Sequence, residues 1–269
     1  MKVLIVGQRS NLTRHLLAAI EGATAMSSAA AASDGLPADC DAEVVVINAF
    51  QPASALGDVR QPVAYVERSL GVTARVLESC REHPTVRRVL YTSSASVYGD
   101  NVECRETDPP RAAGLHAALK LANECLIQRF CDDHGLSSTI VRLFNMFGGD
   151  DTFSIVSKIV AAARSGTELT LANEGNAIRD FIHVDDTVRV YRALLDDPSV
   201  RVVNAASGVG VSVRNILSNL ELHGVRVPTS SIRRPEIRIS TANVERMRSL
   251  VDPSTFTSVQ DHVIGEVLR

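Results

Sequence analysis

Short runs of apolar residues recur along the chain, each bounded by Gly, Asn or Ser. They lie at residues 3–6, 44–47, 89–91 and 140–143. Runs of this length predict strands that are covered on both faces. Helical patterns separate them, at residues 12–20, 68–82 and 115–132. The alternation predicts an α/β fold with a parallel, doubly wound sheet, whose ligand crevice lies at the carboxyl ends of the strands.

Two parts of the chain depart from this alternation. Residues 23–40 are rich in Ala and Ser, so we expect a second strand there to be short and its crossover reduced. After Asn145 the pattern becomes irregular, with a helix predicted at 154–165, a turn at 173–176 and a strand-to-helix passage at 179–195. We therefore predict a Rossmann-like dinucleotide-binding domain over residues 1–148, to which 179–206 returns. Residues 149–178 and 207–269 are predicted to form a smaller substrate-binding lobe.

Composition narrows the classes of partner. The 269 residues are 45% hydrophobic and 22% charged, as in an ordinary globular protein, and the formal net charge of −3 offers no basic field for nucleic acid or a membrane. The apolar runs are far shorter than the ~20 residues that cross a bilayer, and the first strand begins at Lys2. We therefore expect a cytoplasmic protein without a leader peptide. Five cysteines without CxxC spacing are typical of reduced, buried thiols.

The first strand runs into a loop, Gly7 to Thr13, and then into a helix. This context is typical of a dinucleotide loop, with the pyrophosphate at the helix N-terminus. In a glycine fingerprint, two later glycines allow the backbone to approach the phosphate closely and the helix to pack on the strand. Here Ser10 and Thr13 stand at those two positions. Ser10 can donate its hydroxyl to a phosphate, whereas Thr13 is expected to push the helix slightly off the sheet. We assign Gly7, Arg9, Ser10 and Leu12 to the cofactor site, with Arg9 as a partner for the 2′-phosphate of NADP in preference to NAD. A plain turn that binds no dinucleotide is the alternative.

A second group of polar residues follows the third predicted strand. The run YTSSASVYG at 91–99 places hydroxyls where the crevice should open. Downstream, the spacing of His116 and Lys120 in a predicted helix puts both side chains on one face. A serine, a proton-transfer group and a lysine could converge there.

Five segments in a fixed order carry a resemblance to a known family. They are YTSSASVYG at 91–99, KLANE at 120–124, RLFNMFG at 142–148, RDFIHVDD at 179–186 and RPEIR at 234–238. Together they resemble the landmarks of the NAD-dependent epimerase/dehydratase family, the extended short-chain dehydrogenases/reductases that modify nucleotide-linked sugars. The resemblance implies an active triad of Ser or Thr, Tyr and Lys, which maps to Ser94, His116 and Lys120. It also implies that Lys120 holds the cofactor ribose.

The chain departs from the family pattern in the triad itself. Histidine stands at position 116 in place of the family's tyrosine. Imidazole, with an ordinary pKa of about 6.5, can act as an acid or a base, and a nearby Lys120 disfavours its cationic form. Two interpretations remain open: a substituted acid–base group, or a residue left after redox chemistry was lost. Ala95 and Ser96 replace the Asp–Glu pair of the family's dehydratases, so dehydration by that route is not expected. Arg68 stands where the family often has asparagine.

The resemblance also implies a nucleotide-sugar site. Asn145, Arg179 and Arg234 match positions that hold the nucleotide diphosphate in relatives, and guanidinium groups suit phosphate oxygens. The alternatives are that Asn145 ends a strand, that Arg179 pairs with Asp180 or Asp185, and that Arg234 belongs to a solvated basic pair. The compact His-x-Asp-Asp sequence at His183 is a poor metal-ligand set, so we predict no metal.

The helical segment at 115–132 is apolar on several sides and must be covered. In relatives this helix and the one at 68–82 pair across a two-fold axis, so the resemblance implies a homodimer. A monomer with both helices buried internally is the alternative.

Three functional hypotheses follow. The first is an NAD(P)-dependent nucleotide-sugar epimerase or ketoreductase, thus an isomerase or oxidoreductase, in which Ser94 orients the substrate oxygen, His116 transfers the proton and Lys120 tunes the site. The second is a non-redox family member that binds a nucleotide sugar without hydride transfer, its dinucleotide binding weakened or lost. The third is a regulator or sensor on the same fold, which would not need Arg179 and Arg234.

Overall fold

The computed structural model describes residues 1–49 and 59–269. The chain forms two compact units that interleave in sequence. Unit 1 comprises Met1–Val97, Ala112–Arg142 and Tyr191–Val203, and unit 2 comprises Tyr98–Arg111, Leu143–Val190 and Asn204–Arg269. Two stretches of the predicted dinucleotide-binding domain, 98–111 and 143–148, therefore lie in unit 2. The return segment at 179–206 is divided between the units, with 191–203 in unit 1 and the rest in unit 2. The predicted domain boundaries stay a prediction.

The regular elements follow the apolar pattern closely. The strands are β1 (Val3–Val6), β2 (Thr24–Met26), β3 (Val44–Ile47), β4 (Arg88–Ser94), β5 (Asn101–Cys104), β6 (Ser137–Leu143), β7 (Asn145–Phe147), β8 (Leu169–Ala172), β9 (Ile178–His183), β10 (Val202–Ala205), β11 (Gly210–Ser212), β12 (Thr229–Ile232) and β13 (Ile239–Ala242). The helices are α1 (Asn11–Ala19), α2 (Ser28–Asp34), α3 (Pro62–Val66), α4 (Val72–Glu82), α5 (Leu115–His134), α6 (Ile155–Ser165), α7 (Val184–Asp196), α8 (Val213–Leu222), α9 (Glu245–Arg248) and α10 (Val259–Val267). One π-helical turn, Glu67–Gly71, joins α3 to α4.

The main sheet has six strands in the order β10-β6-β4-β3-β1-β2. Its pairs β1–β2, β1–β3 and β3–β4 are parallel, and every residue of β1 and β3 is buried. Both faces are therefore covered, and the predicted doubly wound α/β fold is confirmed. The strand order reverses between β1 and β3, which makes the carboxyl end of this pair the switch point where such folds bind ligands.

The second strand and the crossover after it are short, as predicted. Strand β2 has three residues, and α2 has seven. Ser27 caps α2, because its side chain accepts a hydrogen bond from the N–H of Ala30. Among the described residues the sheet ends at β2, so this part of the fold has less structure than a full doubly wound half.

The core of unit 1 is a continuous apolar cluster between the sheet and its helices. Its fully buried members include Val6, Val45, Val76, Val89 and Ile127. Burial of each such side chain contributes about 1.5–3 kcal/mol, so β1, β3, β4, α4 and α5 are held together mainly by this cluster.

Unit 2 contains a five-stranded arrangement in the order β11-β9-β13-β5, with β7 paired in parallel to β9. Strands β8 and β12 form a separate parallel pair. Helices α6, α8 and α10 contribute an apolar core that includes Ile159, Leu220 and Val263.

Asp180 of β9 is the buried polar centre of unit 2. Its carboxylate accepts hydrogen bonds from the N–H and hydroxyl of Ser207 at 2.8 and 2.7 Å and from the N–H of Gly208 at 2.9 Å. Burial raises the pKa of Asp180 to about 6, although these hydrogen bonds act in the opposite direction. The contacts fasten the loop after β10 to β9.

None of the helices within residues 1–49 and 59–269 is long and apolar enough to cross a membrane.

Candidate active site

The loop after β1 depends on a glycine. Gly7 has a φ of +117°, and a Cβ at this position would overlap the carbonyl oxygen of Asn48, the residue that follows β3. The N–H groups of Gly7 and Gln8 both donate to the carbonyl oxygen of Met26, at 2.9 and 3.1 Å. Gly7 therefore allows β1, β2 and β3 to end close together.

After Gly7, where a glycine fingerprint would have further glycines, the side chains of Ser10, Thr13 and Asn48 are joined by hydrogen bonds. Ser10 caps α1 by accepting a hydrogen bond from the N–H of Thr13 at 3.0 Å, and its hydroxyl donates to the hydroxyl of Thr13 at 3.0 Å. The Thr13 hydroxyl donates to the carbonyl oxygen of Gly7 at 2.9 Å. Asn48 Nδ2 donates to both hydroxyls, at 2.6 Å to Ser10 and 2.8 Å to Thr13. Thr13 is thus bonded into the buried interface between α1 and β3.

The backbone of this loop is suited to bind a pyrophosphate. Helix α1 presents its positive N-terminal end at the switch point, and Gly7 permits close approach. Asn48 Oδ1 is buried without a hydrogen-bond partner among the described residues, which leaves one polar atom beside the loop for a ligand or water. The Ser10 hydroxyl already donates to Thr13, so the predicted donation to a phosphate would require that bond to change. Arg9 is exposed, whereas the Leu12 side chain is buried in the core and can contribute only packing.

Lys120 lies on α5 against the end of β4. Its side chain is 3% exposed, its Nζ donates to the carbonyl oxygen of Thr92 at 2.7 Å, and it lies 4.8 Å from the ring centroid of Tyr91. Burial lowers the pKa of Lys120 to about 7, and the Glu124 carboxylate opposes this shift. The ammonium therefore gains and loses its proton near neutral pH.

One turn further along α5, a buried ion pair stabilises the same strand end. The Glu124 carboxylate accepts hydrogen bonds from the Ser93 hydroxyl and from Arg142 Nη2, the latter at 2.8 Å. The Glu124 and Arg142 side chains are 3% and 7% exposed. Neither residue is among the site residues predicted from the sequence, although two features point to them: the four-residue spacing from Lys120 to Glu124, and a charge inside each apolar element.

Ser94 and His116 occupy the ends of the two elements that Lys120 joins. Ser94 is the last residue of β4, half-buried, and its hydroxyl oxygen accepts a hydrogen bond from the N–H of Ser96 at 3.2 Å. His116 is the second residue of α5 and is half-buried. Burial and then the charge of Lys120 lower the pKa of His116 below 6.5, and the N-terminal end of α5 disfavours a cation in the same direction. These effects favour the neutral imidazole of His116.

The three residues predicted to bind the nucleotide lie in unit 2. Asn145 begins β7, is exposed, and its Nδ2 donates to the carbonyl oxygen of Asp180 at 2.8 Å. Arg234 is exposed, and its backbone is held by Asn173, whose Nδ2 donates to the Arg234 carbonyl oxygen at 2.7 Å. Asn173 also donates to the Glu236 carboxylate at 2.7 Å, which fixes the segment that follows Arg234.

Arg179 is more heavily engaged than an open phosphate ligand would be. Its terminal nitrogens donate to the carbonyl oxygens of Ile178 and Ile237, and its ion-pair partner is Glu236 at 3.5 Å. Neither Asp180 nor Asp185 is this partner. The contact with Glu236 brings Arg179 to the same segment as Arg234, so a phosphate at Arg179 would have to compete with these contacts.

No group of three or more His, Cys, Asp or Glu side chains within residues 1–49 and 59–269 could hold a metal ion. The expectation that the protein uses no metal stays a prediction.

The reversal of strand order, the glycine-dependent turn and the helix N-terminus at the switch point define a nucleotide-binding α/β protein. The chain belongs to the NAD dependent epimerase/dehydratase family, whose model matches residues 3–206. This confirms the family indicated by the five motifs. At the level of the family it also confirms the predicted nicotinamide dinucleotide, whereas the preference for NADP stays a prediction.

Curated relatives are similar over part of their length. Protein CapI of Staphylococcus aureus is 28% identical over 160 residues, which cover 58% of this chain and 47% of the relative. UDP-glucuronate 4-epimerase 4 of Arabidopsis thaliana is 31% identical over 147 residues, covering 51% of this chain and 33% of the relative. The chain thus spans between a third and about half of the length of these relatives.

Among solved structures, MoeE5 in complex with UDP-glucuronic acid and NAD is similar over 100% of this chain and 99% of its own, with a TM-score of 0.85 and 25% identity. The UDP-glucose 4-epimerase of Thermus thermophilus, in complex with NAD, covers 99% of this chain and 98% of its own, with a TM-score of 0.84 and 19% identity. The second likeness shows the fold alone.

Proposed function

We propose that this chain is an NAD(P)-dependent epimerase or ketoreductase that acts on a nucleotide-linked sugar. The observation that carries the proposal is the placement of Lys120 against the end of β4, with His116 one turn earlier on α5, in a chain that belongs to this family. The relatives named as UDP-sugar epimerases, and MoeE5 with its bound UDP-sugar and NAD, support a uridine diphosphate sugar as the substrate class.

In this mechanism His116 acts as the base. Its neutral imidazole accepts the proton of a sugar hydroxyl as the carbon beneath it is oxidised, and the same nitrogen returns the proton when the ketone is reduced. Ser94 orients that oxygen from the end of β4. A bound nicotinamide dinucleotide supplies the acceptor and donor of the hydride.

Lys120 influences the basicity of His116. A protonated Lys120 lowers the proton affinity of His116, and a neutral Lys120 raises it. Because the pKa of Lys120 is about 7, the basicity of His116 depends on pH through its neighbour as well as directly. The Glu124–Arg142 pair holds α5 and β6 fixed around this arrangement.

The second candidate is a family member that binds a nucleotide sugar without hydride transfer. The hydrogen bonds among Ser10, Thr13 and Asn48 favour it, because they occupy the hydroxyl that was expected to bind a phosphate. Histidine at position 116 is compatible with either candidate.

The assembly and location are part of the same proposal. We propose a cytoplasmic homodimer formed through the helices near 68–82 and 115–132. In support, Val63, Val66 and Leu115 are 71%, 43% and 48% exposed on or beside these helices, so a partner helix could cover them.

The deciding experiment measures cofactor binding and chemistry separately. NADH and NADPH are titrated into the protein with nicotinamide fluorescence as the signal, with and without UDP. Conversion of UDP-glucose or UDP-glucuronic acid in the presence of NAD is followed by NMR. Saturable dinucleotide binding with epimer formation supports the enzyme, whereas UDP binding without either dinucleotide would leave the non-redox candidate.

A pair of variants tests the role of His116. The variant His116→Phe should retain dinucleotide binding and lose turnover. His134→Phe, which changes a histidine in the last turn of the same helix, should retain both. Full turnover in His116→Phe would show that His116 is not the base. The variant His116→Tyr distinguishes the two origins of the histidine, because restored hydride transfer indicates lost redox chemistry, whereas loss of a native activity indicates that histidine was recruited.

A further inference from the structure

Unit 2 contains a cavity of about 720 Å³ that includes none of the residues assigned above to the nucleotide or the catalytic groups. It lies among the loop that begins at Gly148, one side of α6, the end of β9 and one side of α10. Its volume is in the range of small-molecule sites, which is about 300–1,000 Å³.

One wall of the cavity is aromatic. His183 and His262 have ring centroids 5.1 Å apart, and the Phe147 ring lies 5.2 Å from His183 and 5.0 Å from His262 behind them. Val156 and Val160 of α6 contribute an apolar surface beside these rings. The cavity can therefore accept an apolar or aromatic body and offers imidazole nitrogens at its edge.

The charges around the cavity leave a positive excess. The Asp151 carboxylate is occupied by the N–H groups of Phe153 and Ser154 at 2.9 and 3.1 Å. Glu266 is paired with Arg164 at 3.1 Å and with Arg269 at 3.2 Å. Lys158 is exposed at the cavity, and no carboxylate within the described part of the chain forms an ion pair with it.

We propose that this cavity binds a small organic anion, a carboxylate or a phosphate monoester with an apolar body. Lys158 pairs with the anionic group, His262 donates a hydrogen bond to it, and the body of the ligand packs on Val156 and Val160. This site is separate from the sugar-nucleotide site in residues and in chemistry, so the two can fail independently.

Binding should strengthen as pH falls. In the free protein, burial and then His183 lower the pKa of His262, and a bound anion would reverse this by favouring the imidazolium. The other charged groups lining the cavity are Asp151, Lys158, Arg164, Glu266 and Arg269. Asp185 lies outside the lining, but its carboxylate is 3.6 Å from His183 Nδ1, which also accepts its N–H at 3.2 Å. Since Asp151 and Glu266 are occupied as described, His262 is the group whose charge a bound anion changes.

The test uses the whole protein and three probes that share a ring: benzoate, phenyl phosphate and uncharged benzyl alcohol. The ring resonances of His183 and His262 are followed by NMR during each titration. We expect saturable shifts with one or both anions at millimolar concentration and none with benzyl alcohol, and the two anions distinguish a carboxylate site from a phosphate site.

Two variants and a control decide whether the cavity is responsible. Lys158→Gln and His262→Gln should each weaken anion binding by about tenfold, the loss of one charge-assisted hydrogen bond. Arg81→Gln, which removes an exposed cation on α4, should leave it unchanged. UDP and NADH binding should be equal in all of these proteins. Absence of saturable shifts, equal shifts with benzyl alcohol, or undiminished anion binding in both variants would overturn the proposal.

Discussion

The buried lysine of α5 makes stability depend on pH in the direction opposite to that of a lysine paired with an acid, because its pKa is lowered on folding rather than raised. Its pKa falls from 10.5 in the unfolded chain to about 7 in the folded protein, because the folded state removes the ammonium of Lys120 from water. Between these values the unfolded state binds more protons than the folded state. The free energy of unfolding therefore rises with pH across this window, by up to about 1.4 kcal/mol per pH unit and about 5 kcal/mol in total.

The substitution Lys120→Met tests this magnitude. Methionine removes the charge but leaves the Thr92 carbonyl oxygen without the hydrogen bond it accepts at 2.7 Å, a loss of about 1–3 kcal/mol. At pH 7 and below, relief of the buried charge outweighs that loss, so the variant should be more stable than the parent by about 2–4 kcal/mol. Near pH 10 the charge is absent from the folded parent, and the variant should be less stable by about 1–3 kcal/mol.

The assay is urea unfolding followed by circular dichroism at several values between about pH 7 and about pH 10, with the variant and parent compared at each. The control is Lys158→Met, which removes an exposed lysine and should leave the pH dependence of the parent intact. The expected sign change between the two ends of the range is the critical result. Parallel curves for Lys120→Met and the parent would refute the reasoning, because they would mean that Lys120 is equally protonated in both states.

Three further predictions concern other parts of the chain. Arg142→Met leaves the Glu124 carboxylate buried without its partner and should destabilise the protein by about 3–5 kcal/mol, whereas adding Glu124→Gln should recover more than half of that loss in thermal unfolding. Equal stability of the single and double variants would contradict this. Cys125 is exposed, while burial raises the pKa of Cys80 to about 12, so iodoacetamide should modify Cys125 first by mass spectrometry; equal rates would contradict it. Gly7→Ala should lower stability by about 1–3 kcal/mol, since its φ is +117° and the added Cβ would overlap the carbonyl oxygen of Asn48. An unchanged melting temperature would show that the loop can rearrange.

The sheet could be predicted from the sequence because its strands are buried on both faces. Such strands appear as continuous apolar runs, and β1, β3, β4 and β6 all contain the runs recognised at the start. The short β2 was also predictable, since the Ala- and Ser-rich stretch around it offers little apolar surface for the sheet to cover.

The polar contacts could be predicted from the sequence to a much smaller extent. Asn48 forms hydrogen bonds with Ser10 and Thr13, which are 38 and 35 residues away in sequence, and Arg142 bonds to Glu124, which is 18 residues away. No pattern of neighbouring residues therefore predicts either network. Thr13 illustrates the consequence. A β-branched residue in place of glycine was expected to push α1 off the sheet, but the hydrogen bonds of its hydroxyl depend on a partner that only the fold brings near.

Arg179 shows how far local reasoning extends. Its neighbour Asp180 was a candidate partner by proximity in sequence, yet successive side chains of a strand point to opposite faces. Asp180 consequently turns into the core of unit 2, and Arg179 meets Glu236 from a later segment. The alternation of β9 was sufficient to exclude the Asp180 pairing, but it could not identify Glu236.

The three-part composition of unit 1 has a consequence for the order in which the protein can be made. Strand β10, at the edge of the main sheet beside β6, is synthesised after the whole of the middle segment of unit 2, Leu143–Val190. A ribosome-bound chain that has released only residues up to Arg142 would expose the edge of β6 until about 60 further residues have emerged, an interval of several seconds at ordinary rates of translation. The hydrogen bonds of Arg88 are also incomplete in that interval, because its guanidinium donates to the carbonyl oxygens of Leu194 and Asp197 at 2.6 and 2.9 Å. The nascent chain therefore carries an unpaired strand edge and an arginine without two of its hydrogen-bond acceptors at the same time, and this stage of synthesis is where a chaperone would be most needed.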